Sequence, residues 1–411
     1  MALLGFVVIA WLVVVGAVLM WSYREQLRRC WREPMLKRPV LIIESDDWGA
    51  GPSIQAARLK EIAARLALFR DQEGNPPVMT LGVILATADG EKIEGDDFSE
   101  YHRIDLGAPQ FQALVSTMQA GVAKGVFSLQ LHGMEHYWPA TLLTLSRKSE
   151  PLRAWLRQSP ESWTEDLPSH VQSRWCDAAS LPSTPLREES IRDAVQAEVS
   201  LYTDIFGASP HVVVPPTFVW NEQVEQAWTR AGVKVIVTPG RRFESRSVKG
   251  KPATGKLVAI NNGDVAVCGA DYVVRDAYFE PTLGHQAEKV IAYLKRGARL
   301  GRPTLLETHR FNFVRDEQGA HHGLETMTQA IELALQNFPQ IRFLSTETLT
   351  VEISARNPAL IEHRVGPRLA ILLARLREIS RLRKLALWSG VAIPAWTLYS
   401  VLSWTYSEEV S

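Results

Sequence analysis

The sequence predicts an α/β fold, a (β/α) barrel that is incomplete or an open parallel sheet with helices outside, flanked by terminal transmembrane helices. Three observations predict it. Short apolar runs alternate with helical-period stretches six to eight times between residues 39 and 350. Uncharged segments of membrane-spanning length stand near both ends. Titratable residues recur directly after apolar runs, where a parallel sheet presents its ligand site.

"RPVLIIESDD" supplies a strand at 39–45, and "SIQAARLKEIAARLALF" a helix at 53–69 with Ser53 in reach as its cap. Strand 78–86, helix 108–123 and strand 126–131 follow. A tryptophan- and proline-rich segment, 137–186, is long for a connection and reads as an insertion, near the site or the membrane or packed locally. The alternation resumes with helix 187–206, strand 211–215, helix 221–232 and strand 233–238. A less regular, hairpin-like stretch covers 250–280, before helix 284–297, strand 303–308, helix 324–337 and strand 341–345. His321 and His322, before Gly323, read as a loop or cap.

Residues 2–21, "ALLGFVVIAWLVVVGAVLMW", carry no charge and suit a membrane helix within 1–22. A cleaved signal peptide would want basic residues before the run, yet Arg24, Arg28, Arg29, Arg32, Lys37 and Arg38 follow it, in a basic segment at 23–38. Residues 351–384 read as a linker and a basic amphipathic helix. There Leu369, Leu372, Leu373, Leu376 and Ile379 make an apolar face, with Arg375 and its basic neighbours toward lipid headgroups. A second span at 385–404 contains Trp388, Pro394, Trp396, Tyr399 and Trp404. Both basic flanks face the middle of the chain, which predicts a multi-pass protein of the inner (cytoplasmic) membrane with its central domain in the cytoplasm.

Forty-five basic residues balance forty-five acidic ones, so charge gives no reason to expect nucleic acid as a partner. Three scattered cysteines make neither a disulfide framework nor a thiolate metal site. There is no G-x-G-x-x-G or G-x-x-x-x-G-K sequence. The chemistry-bearing residues are Asp46 and Asp47 after the first strand, His132 and His136 after the third, and His309 after a late one. If Gly133 onward is helical, the two imidazoles of "HGMEH" share one face and can chelate a divalent ion. Two histidines and one carboxylate leave positions open, as a hydrolytic site requires. Glu135 reads as solvated. Structural roles remain open to each: Asp46–Asp47 as a turn or cap, His309 as a donor to Glu307 or a carbonyl, Trp220 as core.

"ESDDWG", "HGMEH" and "ETHRFNF" together resemble the first, second and fifth motifs of the polysaccharide deacetylase family, also called the NodB-homology domain or carbohydrate esterase family four. The resemblance covers residues 39–350 and implies a distorted (β/α) barrel that removes acyl groups from sugars with a divalent metal, Zn2+ by preference. It implies Asp46 as general base, Asp47, His132 and His136 as metal ligands, and His309 as general acid. "VVVPPTFVWN" resembles the third motif, whose residues line the site, so Pro216, Trp220 and Asn221 join Trp48 as pocket candidates. The arginine that braces the base in this family is absent here, where Val213 and Val214 stand, and Arg275 or Arg310 is its expected substitute. With the membrane ends, the expected substrate is an acylated sugar of a lipid-linked glycan or glycolipid, with membrane lipids as the other partner. An O-acyl esterase, a glycoside hydrolase on the same barrel, or an inactive sugar-binding scaffold are the alternatives.

Overall fold

The computed structural model describes residues 2–254 and 259–410, with side chains omitted at Ala2 and from Trp404 onward. The chain forms two compact units: residues 40–293 with 304–351, and residues 1–39 with 294–303 and 352–411.

The larger unit is built on an open, curled sheet of nine parallel strands. They are β1 (Val40–Gly49), β2 (Met79–Ile84), β3 (Phe127–Leu131), β4 (Val212–Val213), β5 (Val235–Thr238), β6 (Asp271–Val274), β7 (Ala277–Tyr278), β8 (Thr304–His309) and β9 (Arg342–Phe343). Their order is β6-β5-β4-β3-β2-β1-β8-β7, with β9 pairing the start of β1. The strands thus follow chain order around a ring that stays open between β6 and β7. Only Arg275 and Asp276 separate those two strands in sequence. The stretch expected to be irregular at 250–280 therefore supplies both ends of the opening. Its hairpin is smaller than expected, pairing Ser245–Arg246 with Pro252–Ala253.

β1 is buried along its whole length, as a central strand covered on both faces must be. Helix Gln55–Leu66 packs Leu59, Ile62 and Leu66 inward at three-to-four spacing. Ser53 does not cap it; its amide donates to the Glu161 carboxylate instead. Helix Glu188–Phe206 stops at Gly207, whose φ of +77° few other residues adopt cheaply. Helix Glu317–Asn337 begins well before the expected residue 324, because Asp316 accepts from the Gly319 amide as its cap. His321 and His322 therefore lie in a helix rather than a loop. Gly323 is where that helix closes on the short helix Phe311–Val314; a Cβ there would stand 2.1 Å from the Asn312 carbonyl oxygen.

The inserted segment forms helices Pro139–Ser146 and Glu150–Arg157 over a core of its own, including Leu142, Leu152, Trp155 and Leu156 with Ile93 and Phe98.

In the smaller unit, Ala2–Ser22 is one helix with a charge-free window at Leu3–Ser22. At about 1.5 Å per residue this matches a hydrocarbon core of about 30 Å. It is the one helix among the described residues long and apolar enough to cross a membrane. The expected second span is not one continuous helix: Ser380–Trp388 and Ala392–Ser403 meet at 112°, with Gly390 at φ +82° in the break. The side chain of Trp404 lies outside the described residues. Helix Val365–Leu376 also departs from the expected orientation, burying Ala370, Ile371, Ala374 and Arg375. Arg375 is turned from headgroups toward carbonyl oxygens at Cys30, Glu33, Pro34, Leu300 and Gly301. These are C-terminal carbonyls of two helices, the groups most in need of a cationic donor.

Candidate metal centre

The site lies at the C-terminal ends of β1, β3, β6 and β8. Successive strand residues point to opposite faces, so Asp46 and Asp47 cannot both line one cavity on a regular strand. β1 solves this with an irregularity. Its register with β2 slips between Ser45 and Trp48, and Asp47 takes φ +73°. Both carboxylates then enter one cavity of about 250 Å³ together with His132, His136, Arg275 and His309. Opposite the bulge, Gly82 leaves room: a Cβ there would lie 2.4 Å from Asp46 Oδ1.

His132 follows β3 directly. Its Nδ1 donates to the Val214 carbonyl at 2.8 Å, which leaves Nε2 as the bare nitrogen toward the cavity. "HGMEH" is not helical; Gly133 at φ +103° bends the chain and still brings the two rings within 5.0 Å. His132 Nε2 and His136 Nε2 stand 3.4 and 3.3 Å from the same atom, Asp47 Oδ1. At those distances neither makes the charge-assisted hydrogen bond of about 2.7–2.9 Å. Asp47 Oδ1 is buried without a hydrogen-bond partner, and so is His136 Nδ1. Three donors within 4.8 Å of one another, one of them an oxygen left unsatisfied, fit a divalent cation. The other cluster, Asp96, Glu100 and His102, is exposed or half-buried, and its Asp96 and His102 already bond each other.

Asp46 is held from the opposite side. Arg275 Nη2 donates to Asp46 Oδ2 at 2.6 Å and Nη1 to Glu44 Oε2 at 3.2 Å. Burial works against the Asp46 anion, but the Arg275 charge and hydrogen bond together with the His132 and His309 imidazoles outweigh it and keep the carboxyl below its usual range. Asp46 lines the cavity, and its Oδ1, beside Gly82 of β2, has no hydrogen-bond partner. Burial raises the pKa of Glu44, which Arg275 and Thr346 only partly offset. His309 Nδ1 meets Glu280 Oε1 at 2.5 Å, and Glu280 is itself engaged by Thr308 and Asn312. Burial disfavours the imidazolium, yet the Glu280 carboxylate raises the His309 pKa to about 10.

Of the expected pocket residues, Arg275 reaches the cavity and the others do not. Trp48 is fully buried and donates to Ser45 Oγ. Trp220 donates to the buried Glu225, and Asn221 caps helix Glu222–Arg230. Arg310 pairs with Glu165 and covers Trp163. Pro216 gives way to Pro215, followed by Thr217 and Phe218. Phe218 lies under the Arg275 guanidinium at 5.0 Å. The inserted segment lends Glu165 and Gln172 to the wall. Glu135, expected to be solvated, is fully buried between Arg174 and Arg103.

Sequence reasoning missed Glu44, Glu280, Glu165 and Tyr278. Glu44 was within reach of it, since residues two apart on a strand share a face and Asp46 was already singled out. Glu280 belongs to "VVRDAYFEP", the same stretch as Arg275, but nothing local ties it to a histidine 29 residues later.

Residues 177–357 match glycosyl hydrolase family 57. No curated protein matches the chain. Among solved structures, a family 4 acetyl xylan esterase from Clostridium thermocellum, determined with a cobalt ion, is 10% identical with a TM-score of 0.37, covering 76% of this chain and 91% of that one. A peptidoglycan deacetylase from Bacillus subtilis is 9% identical with a TM-score of 0.35, over 79% and 94% of the two chains. An exo-type maltose-forming amylase from Pyrococcus sp. ST04 is 8% identical with a TM-score of 0.42, over 80% of this chain and 50% of that one.

Proposed function

We propose that the chain is a metal-dependent hydrolase that removes an N-acyl group, acetyl or formyl, from a sugar. The observation that carries this is the convergence of two imidazole nitrogens on the unsatisfied Oδ1 of Asp47. Asp47, His132 and His136 would hold the ion, and a mixed nitrogen and oxygen donor set suits Zn2+. When bound, the ion would polarise the acyl carbonyl and acidify water.

The remaining steps belong to the protein. Arg275 occupies Oδ2 of Asp46, so Oδ1 is the atom free to take a proton from the attacking water. His309, kept protonated by Glu280, delivers a proton to the departing nitrogen. A base held ionised and an acid held protonated at the same pH are the pair that amide hydrolysis needs. Chelation, and separately Asp46→Asn, should each abolish acetate or formate release; hydrolysis persisting in both would sink this function.

The match to family 57 favours a second function, glycoside hydrolysis. That chemistry needs one protonated and one ionised carboxyl. Asp46 and Asp47 are both held below the usual carboxylate range, so neither supplies the acid, which leaves Glu165 and Glu307 as its candidates. Release of reducing sugar without metal would select this alternative.

The helix Ala2–Ser22 supports a single membrane anchor, and the basic residues after it favour the cytoplasmic side for the chain that follows. A substrate carried on a lipid, such as a lipid-linked glycan of the inner membrane, then meets the enzyme where it is anchored. External proteolysis of the larger unit in oriented vesicles would contradict this placement.

A further inference from the structure

The smaller unit contains a second cavity, of about 320 Å³, at the low end of small-molecule pockets. Its walls are Gly16 and Leu19 of the N-terminal helix, Leu373, Ala386, Trp396 and Tyr399. The bend in the C-terminal segment makes this space. Had residues 380–403 continued as one helix, Ala386 and Trp396 would lie on one straight axis instead of facing across a corner. The corner is pinned. Trp11 Nε1 donates to the Ser389 carbonyl at 3.0 Å, and a Cβ on Gly390 would lie 3.7 Å from Leu12.

Two arginines line the same cavity. Arg377 lies over Trp396 and Tyr399, 5.3 and 5.8 Å from the ring centroids, and Arg383 is exposed. Neither makes an ion pair among the described residues. The acid beside Arg377 in sequence, Glu378, is already taken by Arg296 and Arg299. Aromatic stacking fixes the Arg377 fork without neutralising it. A ligand that suits this site is hydrocarbon at one end and anionic at the other. Sugars and free phosphate satisfy one half only.

We infer that this cavity binds one hydrocarbon chain of an anionic phospholipid, with the lipid phosphate held by Arg377 and Arg383. Guanidinium groups pair with phosphate oxygens in a fork geometry, and each basic group near a membrane surface adds to the preference for anionic lipid. This inference rests on the proposed membrane placement of the N-terminal helix and is independent of the chemistry at Asp47.

The test uses the full chain, its flotation with liposomes, and the phospholipid retained after detergent purification from a 1:1 mixture of phosphatidylglycerol and phosphatidylcholine. The wild-type chain should float and retain phosphatidylglycerol selectively. R377Q/R383Q should still float but lose that selectivity about ten-fold or more. Gly16→Leu, at a position where an added Cβ meets nothing within 4 Å, should fill the cavity and lose retained lipid of both kinds while still floating. A chain that does not float overturns the membrane placement and the lipid site together. Flotation with wild-type retention and selectivity in both variants overturns the lipid site alone. Deacylation is measured separately, on a soluble acylated sugar.

Discussion

Arg275 bridges Glu44 and Asp46, two carboxylates on one face of β1, from the open edge of the sheet. All three side chains are essentially excluded from solvent. The guanidinium is the shape that can reach both at once, and a lysine ammonium is not. Arg275→Met should destabilise the fold by about 3–5 kcal/mol, because it leaves two buried carboxylates without their cation. Arg275→Lys should fold better but lose about ten-fold or more in kcat, with KM little changed, because Asp46 Oδ2 is no longer held. Urea denaturation and steady-state kinetics on the two variants check this together.

Gly82 makes a sharper steric prediction. A methyl at this position would compress Asp46 Oδ1 at 2.4 Å and its Cα at 3.2 Å, so the carboxylate must turn. The atoms that a Gly82 methyl would meet all belong to Asp46, and none to the candidate metal ligands Asp47, His132 and His136. Gly82→Ala should therefore keep its metal content by elemental analysis while kcat drops by about a hundred-fold, the cost of a displacement near 1 Å at the reacting group. Loss of metal in parallel with activity would mean that the strand itself had shifted.

Much of this architecture was legible because strand and helix periods are local. The apolar run ending at Asp46, the run ending at Leu131 and the run before His309 all reappear as β1, β3 and β8. The candidate metal triad could be assembled from two strand ends, Asp47 of β1 and the two histidines after β3, because a parallel sheet collects its strand ends at one edge. What was not legible depended on geometry between distant segments. Trp48 looked like a pocket wall, but the bulge that turns Asp47 inward leaves Trp48 facing the core. Glu280 reaches His309 from a loop beyond β7, and Arg375 turns from lipid toward helix-end carbonyls, with no trace in periodicity. The apolar composition of 385–404 predicts a second span but carries no signal for the bend at Gly390.

Metal binding should be visible in stability as well as in turnover. A ligand present at about a hundred times its dissociation constant stabilises the native state by about 2.7 kcal/mol. Adding Zn2+ to chelator-treated protein should raise Tm, and His136→Ala or Asp47→Ala should remove most of that shift. His102→Ala, in the exposed Asp96 cluster, should leave it intact. Differential scanning fluorimetry over a zinc titration distinguishes the two clusters.

The His309–Glu280 pair predicts a pH dependence with a definite sign. The folded-state pKa of His309, about 10, lies above the value of about 6.5 expected in the unfolded chain. Below pH 6.5 the imidazole is protonated in both states and the pair contributes its full stabilisation. Between about 6.5 and 10 the folded state holds a proton that the unfolded state has released, so stability declines as pH rises and the contribution is gone above 10. Glu280→Gln removes the carboxylate that contributes most to holding the cation, leaving only the smaller attractions of Asp47 and Asp46 against burial. The variant should lose most of the slope of unfolding free energy that His309 gives between pH 7 and 10. If His309 is the acid, the alkaline limb of kcat should also move down by more than one pH unit, toward neutrality. Denaturant titrations at pH 7, 8.5 and 10, run beside a pH–rate profile, read both effects. A variant with the wild-type alkaline limb would remove His309 from the acid role while leaving its structural pairing with Glu280 in place.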